Sequence, residues 1–196
     1  MEQTDIEETG VKLPQSSTGR IDERVQRLID CEEIRQAMYA YARGVDRLDE
    51  DLIRAAYHPD AWDDHGNFRG DREVAVATIM NNGRTGNATA SMHHIGNMLI
   101  DLNGDVADVE TYFVAYQRRE EGEKAFTRMR AGRYLDRFER RDGRWRVARR
   151  VVVDDWSRLD EVLATAAEVG PNSTIGTRHT TDVSYEIRGF VADRKS

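Results

Sequence analysis

The sequence predicts an α+β fold: a cone-shaped α+β barrel in which N-terminal helices pack on a strongly curved, mostly antiparallel sheet and enclose a pocket. In the first half of the 196-residue chain, apolar residues recur every three or four positions, which is the period of a helix. In the second half they alternate, which is the period of a strand. Short turns between the alternating runs favour antiparallel neighbours. Helices followed by such a meander are typical of α+β proteins.

Three helices are predicted in the first half. The first is long, and its apolar face consists of Ile21, Val25, Leu28, Ile34, Met38, Tyr41, Val45 and Leu48. A short second helix follows Asp49, a suitable N-cap, and ends before Pro59, because the residue preceding a proline avoids helical backbone angles. A third helix over residues 72–80 is expected to begin after Asp71 and to end at the Asn-Asn-Gly of residues 81–83.

Extended structure is predicted for residues 61–68 and then for four long strands. These strands are rich in Val, Ile, Tyr, Phe and Trp, and turns at Asn103-Gly104, Glu120-Glu121-Gly122 and Asp142-Gly143 separate them. They cover residues 91–102, 106–118, 125–140 and 145–156. The first helix is therefore expected to cover one face of a curled sheet.

A length of 196 residues suits one compact domain. Residues 1–20 lack periodicity and are expected to form a flexible N-terminal arm, whereas residues 21–156 form the α+β barrel. Residues 157–196 are expected to add a C-terminal helix, up to about residue 169, and an extended tail suited to lie on a neighbouring subunit.

Composition excludes several classes of function. The chain has 29 Lys and Arg against 36 Asp and Glu, a formal net charge of -7, which disfavours binding to nucleic acid. No apolar run approaches the ~18 residues of a membrane span, and the acidic N-terminus lacks the features of a signal peptide. A cytoplasmic protein without a membrane partner is expected. The single Cys31 cannot form an intrachain disulfide or a thiolate cluster.

The strongest candidates for chemistry are Asp46, near the end of the first helix, and His93, early in the first long strand. Asp46 lies at the edge of the apolar face, where a carboxylate needs a partner. His93 alternates in phase with Ile95, Asn97 and Leu99, so an inward-facing row would bring its imidazole into the pocket. A carboxylate that orients a neutral imidazole makes a general base. The alternative is a solvent-facing Asp46 and a hydrogen-bonded core histidine.

Four segments of the chain resemble the SnoaL-like branch of the nuclear transport factor 2-like superfamily, which includes scytalone dehydratase, bile-acid dehydratase and hexachlorocyclohexane dehydrochlorinase. The matching segments are YARGVDRLD, YHPDAWDDHGNF with the following Gly70, MHHIGN, and GRYLDRFERRDGRWRVARR. The resemblance covers about residues 21–156. It implies the cone-shaped fold described above.

The resemblance also implies roles for single residues. The family's catalytic Asp and His fall on Asp46 and His93, with Asn97 four positions further on as a pocket residue. Tyr41 corresponds to a polar or aromatic pocket residue, although a core aromatic fits its position equally well. His65 stands where the fungal dehydratase has a tyrosine that holds water. Arg150 matches an arginine that stabilises the leaving group; only one of the consecutive Arg149 and Arg150 can face inward.

No metal and no cofactor are expected. Five polar residues crowd together in a way that superficially suggests a metal site, but they have no recognised ligand spacing: His58, Asp60, Asp63, Asp64 and His65. The chain lacks a P-loop, a Rossmann glycine motif and a nucleophile elbow. The arginine-rich run over residues 137–150 is interpreted as a solvated hairpin face balanced by acids.

The resemblance and the candidate pair together lead to the hypothesis of a cofactor-independent lyase, resembling a dehydratase, that acts on a small apolar cyclic or aromatic, steroid-like substrate. Water is the expected leaving group, with chloride or formaldehyde as variants. An isomerase or cyclase using the same pair is one alternative, and a binding module or dioxygenase small subunit is another. A homo-oligomer, by resemblance a trimer, is expected to form through outward-facing His94, Met98 and Ile100 on the sheet's convex face.

Overall fold

Three helices and six strands make up the part of the chain that the structure, a computed structural model, describes: residues 23–162, 170 and 172–186. In chain order the elements are α1 (Glu23–Arg47), α2 (Glu50–Ala55), β1 (Tyr57–Asp64), β2 (Arg69–Asp71), α3 (Arg72–Thr85), β3 (Ala88–Asn103), β4 (Val106–Glu121), β5 (Lys124–Arg141), β6 (Arg144–Val162) and a 3-10 helix (Val183–Tyr185). The predicted arm over residues 1–20 lies outside these residues. None of the described helices has the length and apolar character required to cross a membrane.

The strands form one sheet in the order β2-β1-β6-β5-β4-β3. Strands β3 to β6 pair as an antiparallel meander, as predicted, while β1 pairs parallel with β6 and antiparallel with β2. Register shifts within the β1–β6, β3–β4 and β5–β6 pairs bend the sheet around α1. The predicted α+β class and mostly antiparallel sheet are confirmed; the sheet stays open, with β2 and β3 as its edges.

The core lies between α1 and the concave face of the sheet. Ile34, Met38 and Tyr41 of α1 are fully buried and join a cluster with Phe113 of β4 and Tyr134 of β5. Burial of a side chain of this size contributes about 1.5–3 kcal/mol, so this seam holds helix and sheet together. The apolar face of α1 is therefore used as predicted in its second half.

The extended segment predicted for residues 61–68 is found earlier, at Tyr57–Asp64. Two other predicted boundaries are wrong, and each has a physical reason. Helix α3 continues through the Asn-Asn-Gly segment to Thr85, and Gly83 lies inside it, where a Cβ atom would stand 2.1 Å from a methyl group of Leu48. Gly83 thus provides a close approach and does not end the helix. Residues 157–162, predicted as the start of a helix, belong to β6 and pair with β5. The rest of that predicted helix lies outside the described residues.

Residues 172–186 pack on the chain's own α1 region, although the sequence suggested a tail reaching a neighbouring subunit. Arg43 Nη2 donates to Ser184 Oγ at 3.0 Å, and Arg47 pairs with Asp182 at 3.8 Å. The hydroxyl of Tyr185 donates to Asp49 at 2.8 Å. This segment, called the C-terminal strap below, covers the end of α1 that carries Asp46.

Candidate active site

The last turns of α1 and the beginning of β3 bring Asp46 and His93 into direct contact. The Oδ1 atom of Asp46 lies 2.6 Å from Nδ1 of His93, and Oδ2 accepts the backbone N–H of His93 at 2.8 Å. Ser91 adds a third hydrogen bond, donated by its hydroxyl to Oδ1 at 2.8 Å. The predicted contact is confirmed, and nothing within the described residues bonds to the second ring nitrogen, Nε2.

These hydrogen bonds keep the buried carboxyl group of Asp46 ionised. Burial opposes its charge, but the bonds and the positive potential from His93, with the bond from Ser91, outweigh burial and lower the pKa of Asp46 below its ordinary value. An ionised Asp46 makes Nδ1 of His93 the protonated nitrogen, which leaves Nε2 with a lone pair. Such a ring is prepared to accept a proton.

Asn97 does not join this pair, so its prediction as a pocket residue is wrong. The register of β3 against β4 shifts between Ile95 and Met98, and beyond this bulge the alternation of faces reverses. Asn97 is exposed, while Met98 and Ile100, predicted on the outer face, pack against the core. The predicted outward position of His94 is confirmed, since its side chain is exposed.

A second polar group lies deeper in the cone, around Asp63 at the end of β1. The hydroxyl of Tyr57 donates to Asp63 Oδ2 at 2.6 Å, and Nδ1 of His65 lies 3.1 Å from Oδ1. Burial opposes the charge of Asp63, but the His65 bond, the nearby Arg150 and the Tyr57 bond together lower the pKa of Asp63. The structure therefore holds a second imidazole against a buried carboxylate.

Arg150 faces inward and is completely enclosed. It donates to both oxygens of the buried Asp136, at 2.8 and 2.7 Å, and to the hydroxyl of Tyr57 at 3.0 Å. Its guanidinium carbon lies 4.3 Å from the ring centre of Tyr41 and 4.4 Å from that of Tyr134. Burial alone would lower the pKa of Arg150, but the Asp136 carboxylate raises it well above its usual range. Arg150 is a permanent cation behind the aromatic rings.

Tyr41 is a buried core aromatic at 1% exposure, in agreement with the core interpretation of its position, and its role as a pocket residue stays a prediction. Its ring meets those of Tyr57 and Tyr134 edge-on, at 5.8 and 5.9 Å between centres. Burial raises the pKa of Tyr41 to about 12, against the opposing effect of Arg150. The hydroxyl therefore stays protonated near neutral pH.

One aromatic pair connects the two imidazoles. The rings of Phe113 and Tyr134 stack at 4.4 Å; His93 lies 6.5 Å from the first ring and His65 lies 6.5 Å from the second. His65 also lines a cavity of about 370 Å³, the mouth cavity, whose wall includes Val45, His65, Phe68, Ile79, Ala88 and Arg130. The Asp46–His93 pair borders a cleft of about 520 Å³ between α1 and β3.

The crowded polar residues around His58 are separated by the fold. His58 Nε2 donates to the carbonyl of Glu139 at 2.8 Å, and Asp60 pairs with Arg141 at 2.6 Å, away from Asp63 and His65. No group of three His, Cys, Asp or Glu residues suited to a metal ion occurs within the described ranges.

Several site residues were missed at the level of sequence. Asp63 was noted only as part of a metal-like cluster, although its spacing of two from His65, a predicted substrate-binding residue, was the signal for a shared face. Tyr134 and Asp136 have the same spacing on β5. Ser91 gave no signal beyond its place two residues before His93.

Comparisons with known proteins agree with this architecture. Residues 26–151 match the SnoaL-like domain, whereas no curated protein sequence matches the chain. A proposed scytalone dehydratase from Novosphingobium aromaticivorans is 22% identical with a TM-score of 0.61, covering 71% of this chain and 93% of that one. The LinA-type3 hexachlorocyclohexane dehydrochlorinase from Novosphingobium barchaimii is 18% identical with a TM-score of 0.62, covering 72% and 96%.

A different kind of protein shares the fold as well. The β subunit of a proposed aromatic-ring-hydroxylating dioxygenase from Novosphingobium aromaticivorans is 20% identical with a TM-score of 0.55, covering 68% of this chain and 94% of that one. At such identities the solved structures establish the fold alone. Since the matching domain spans well over half of the sequence, the chain belongs to the SnoaL-like domain family.

Proposed function

We propose that the chain is a cofactor-independent lyase that eliminates water, or another small group such as chloride or formaldehyde, from a cyclic or aromatic substrate. The observation that carries the proposal is the contact of Asp46 with His93, which fixes the imidazole and leaves Nε2 free to take a proton. A buried carboxylate–imidazole pair of this kind is a general base. The dehydratase and dehydrochlorinase that share the fold support the same reaction class.

In the proposed reaction, Nε2 of His93 removes a proton from the substrate carbon. The electron pair of the broken C–H bond forms a new carbon–carbon double bond, and the bond to the leaving group on the next carbon breaks. Asp46 holds the ring through Nδ1–H and stabilises the imidazolium that forms. For loss of water, the departing hydroxyl takes one proton, so the products are an alkene and water.

His65 is the residue that we propose to supply that proton. It lines the mouth cavity, and Asp63 holds it through Nδ1, so Nε2–H of its protonated form can donate to the departing oxygen. Tyr41 and Arg150 are enclosed at 1% and 0% exposure. Their proposed part is electrostatic: the buried cation stabilises negative charge that develops next to the tyrosine rings.

Two other functions use the same fold. An isomerase or cyclase would begin with the same proton removal and end without a leaving group. A non-catalytic binding or dioxygenase small-subunit role would have no use for a buried carboxylate bound to both the ring and the backbone of one histidine, since such a carboxylate costs free energy to bury. The Asp46–His93 contact therefore favours an enzyme.

The proposal is tested with a panel of hydroxylated and chlorinated cyclic substrates, including scytalone and hexachlorocyclohexane, followed by absorbance and mass spectrometry for loss of water or hydrogen chloride. His93→Gln is expected to remove nearly all turnover. His94→Gln is the matched control, because His94 is adjacent but points to the outer face. A His93→Gln protein that keeps wild-type rates would refute the mechanism, and a product of unchanged mass would indicate an isomerase.

We also propose that the chain forms a homo-oligomer, most simply a trimer, through the convex face of its sheet. The residues that support this differ from those expected from sequence, because the bulge in β3 turns Met98 and Ile100 inward. Five exposed apolar side chains alternate outward along β3, β4 and β5: Met92, Leu99, Tyr112, Tyr116 and Leu135. An exposed apolar patch of this kind marks an interface.

A further inference from the structure

We infer that the substrate of this site carries an oxyanion group, a carboxylate or a phosphate, which binds to Arg128, Arg130 and Arg178 at the wide end of the cone. The inference rests on the proposed function, because it identifies the substrate class of the same site. It adds an anionic substituent to the apolar cyclic or aromatic substrate expected from sequence. The reacting carbon would lie next to His93 of β3, and the anionic group would lie two strands further across the sheet, next to Arg130 of β5.

The strand register sets this spacing. His93 of β3 pairs with Ala115 of β4, and Ala115 pairs with Arg130 of β5, so the three residues form one row across the concave face. Neighbouring strands are about 4.8 Å apart, which puts the backbones of His93 and Arg130 about 10 Å apart. Ala115, whose small side chain is only 6% exposed, lies between them.

The next row repeats the arrangement with a second cation. Ser91, which bonds to Asp46, pairs with Gln117, and Gln117 pairs with Arg128. Arg128 is exposed and forms no ion pair with the described residues. Arg128 and Arg130 therefore share a face and line the mouth cavity together, on the side of the sheet that carries His93.

The mouth cavity holds an excess of positive charge. Four arginines line it, and the described lining contains no Asp or Glu: Arg119, Arg128, Arg130 and Arg178. Arg130 is paired with Asp154 outside the lining, and Arg119 is bonded to Asn87. Neither Arg128 nor Arg178 forms an ion pair with a carboxylate of the described residues, although burial lowers the pKa of Arg178 and Asp46 is near enough to oppose that lowering. A concave site with two such cations attracts an anion.

Arg178 supplies the second observation that points to a ligand. This side chain of the C-terminal strap is only 7% exposed and donates to the backbone carbonyls of Ala88 and Val45, at 3.2 and 3.4 Å. Its Nε is buried and has no hydrogen-bond partner among the residues that the structure describes. Buried N–H groups are rarely left without an acceptor. An oxyanion in the mouth cavity provides one.

Carboxylates and phosphates match the planar donor geometry of guanidinium groups. A ring with such a substituent would place its acidic end on the arginines while its body contacts Phe113, over which Arg130 lies at 5.9 Å. The same Phe113 ring lies 6.5 Å from His93. Phe113 thus lies between Arg130 and the general base.

The test measures binding by isothermal titration calorimetry with 2-naphthoate, 2-naphthyl phosphate, neutral 2-naphthamide and inorganic phosphate. At least one aromatic anion is expected to bind about tenfold more tightly than the amide, the effect of one charge-assisted hydrogen bond. Arg128→Gln and Arg178→Gln should each reduce this ratio severalfold. Arg158→Gln, an exposed arginine of β6 outside the cavity, is the matched control and should leave it unchanged.

Added salt should weaken anion binding and leave amide binding unchanged. The preferred anion then decides between a carboxylate and a phosphate. Equal binding of anions and amide, a ratio insensitive to both arginine variants, or no saturable binding of any anion, inorganic phosphate included, overturns the inference. His93→Gln should keep the full anion preference, so failure of anion binding and failure of the proposed lyase mechanism are separate outcomes.

Discussion

Asp46 holds His93 at two points, through the ring nitrogen Nδ1 at 2.6 Å and through the backbone N–H at 2.8 Å. The first bond sets the orientation and tautomer of the imidazole, and the second anchors the carboxylate to the strand that carries it. The end of helix α1 and the beginning of β3 are thus connected by hydrogen bonds between the same residues that the proposed reaction uses. Stability and activity should depend on the same carboxyl group.

Replacement of Asp46 by Asn is expected to lower turnover at least ~100-fold, because the amide no longer enforces the tautomer with a free Nε2 and no longer stabilises the imidazolium. Steady-state kinetics on the active member of the substrate panel measure the effect. Asp101→Asn, an exposed residue of the same strand, is the control and should keep wild-type rates. Rates within a few-fold of wild type in Asp46→Asn would rule out its role.

The lowered pKa of Asp46 leads to a second prediction, a dependence of folding stability on pH. The pKa of Asp46 is lowered in the folded state from an ordinary value of 3.8, so its contribution is fully present above that value. The contribution is lost as the pH falls through the folded-state pKa. Urea unfolding of wild type and Asp46→Asn should therefore show a difference in unfolding free energy that is large at pH 7 and shrinks below about pH 3.8. A difference that stays constant down to pH 2 contradicts the prediction.

The Asp46–His93 contact could be predicted from sequence because both residues obey a local period. Asp46 follows the apolar face of a helix by one position, and His93 stands in the regular first part of β3. Asn97 could not be placed, because the bulge after Ile95 depends on pairing with β4. Gly96 was its sequence signal: a Cβ atom there would stand 3.3 Å from the carbonyl oxygen of Tyr112.

The end of the chain shows how tertiary contacts override a local pattern. Residues 157–162 continue β6 because the antiparallel partner, residues 125–130 of β5, extends equally far. Arg178 lies far along the chain from the residues that it contacts, and no short-range pattern connects it to Val45 or Ala88. Strap contacts of this kind follow only from the folded arrangement.

Breaking the enclosed ion pair of Arg150 and Asp136 is expected to lower the stability of the fold. Arg150→Met leaves Asp136 buried without its partner and should lower the free energy of unfolding by about 3–5 kcal/mol. The double variant Arg150→Met/Asp136→Leu removes both charges and should recover much of that loss. Urea unfolding at equal protein concentration measures all three proteins. A double variant less stable than Arg150→Met would contradict the prediction that the unpaired charge of Asp136 causes the loss.

The exposed apolar side chains on the convex face lead to the prediction that the protein is a trimer. Leu99 is 57% exposed beside the acidic and basic side chains of β4 and β5, and it forms part of the apolar patch that the sheet presents away from α1. Sedimentation equilibrium at micromolar concentration should give three times the monomer mass of 22.4 kDa. Leu99→Lys places a charge inside the proposed interface and should shift the protein toward monomer. Leu28→Lys, at a 69% exposed leucine of α1, makes the same substitution elsewhere and should leave the trimer intact. A wild-type protein at the monomer mass refutes the assembly, and a stable dimer would keep the interface but replace threefold by twofold symmetry.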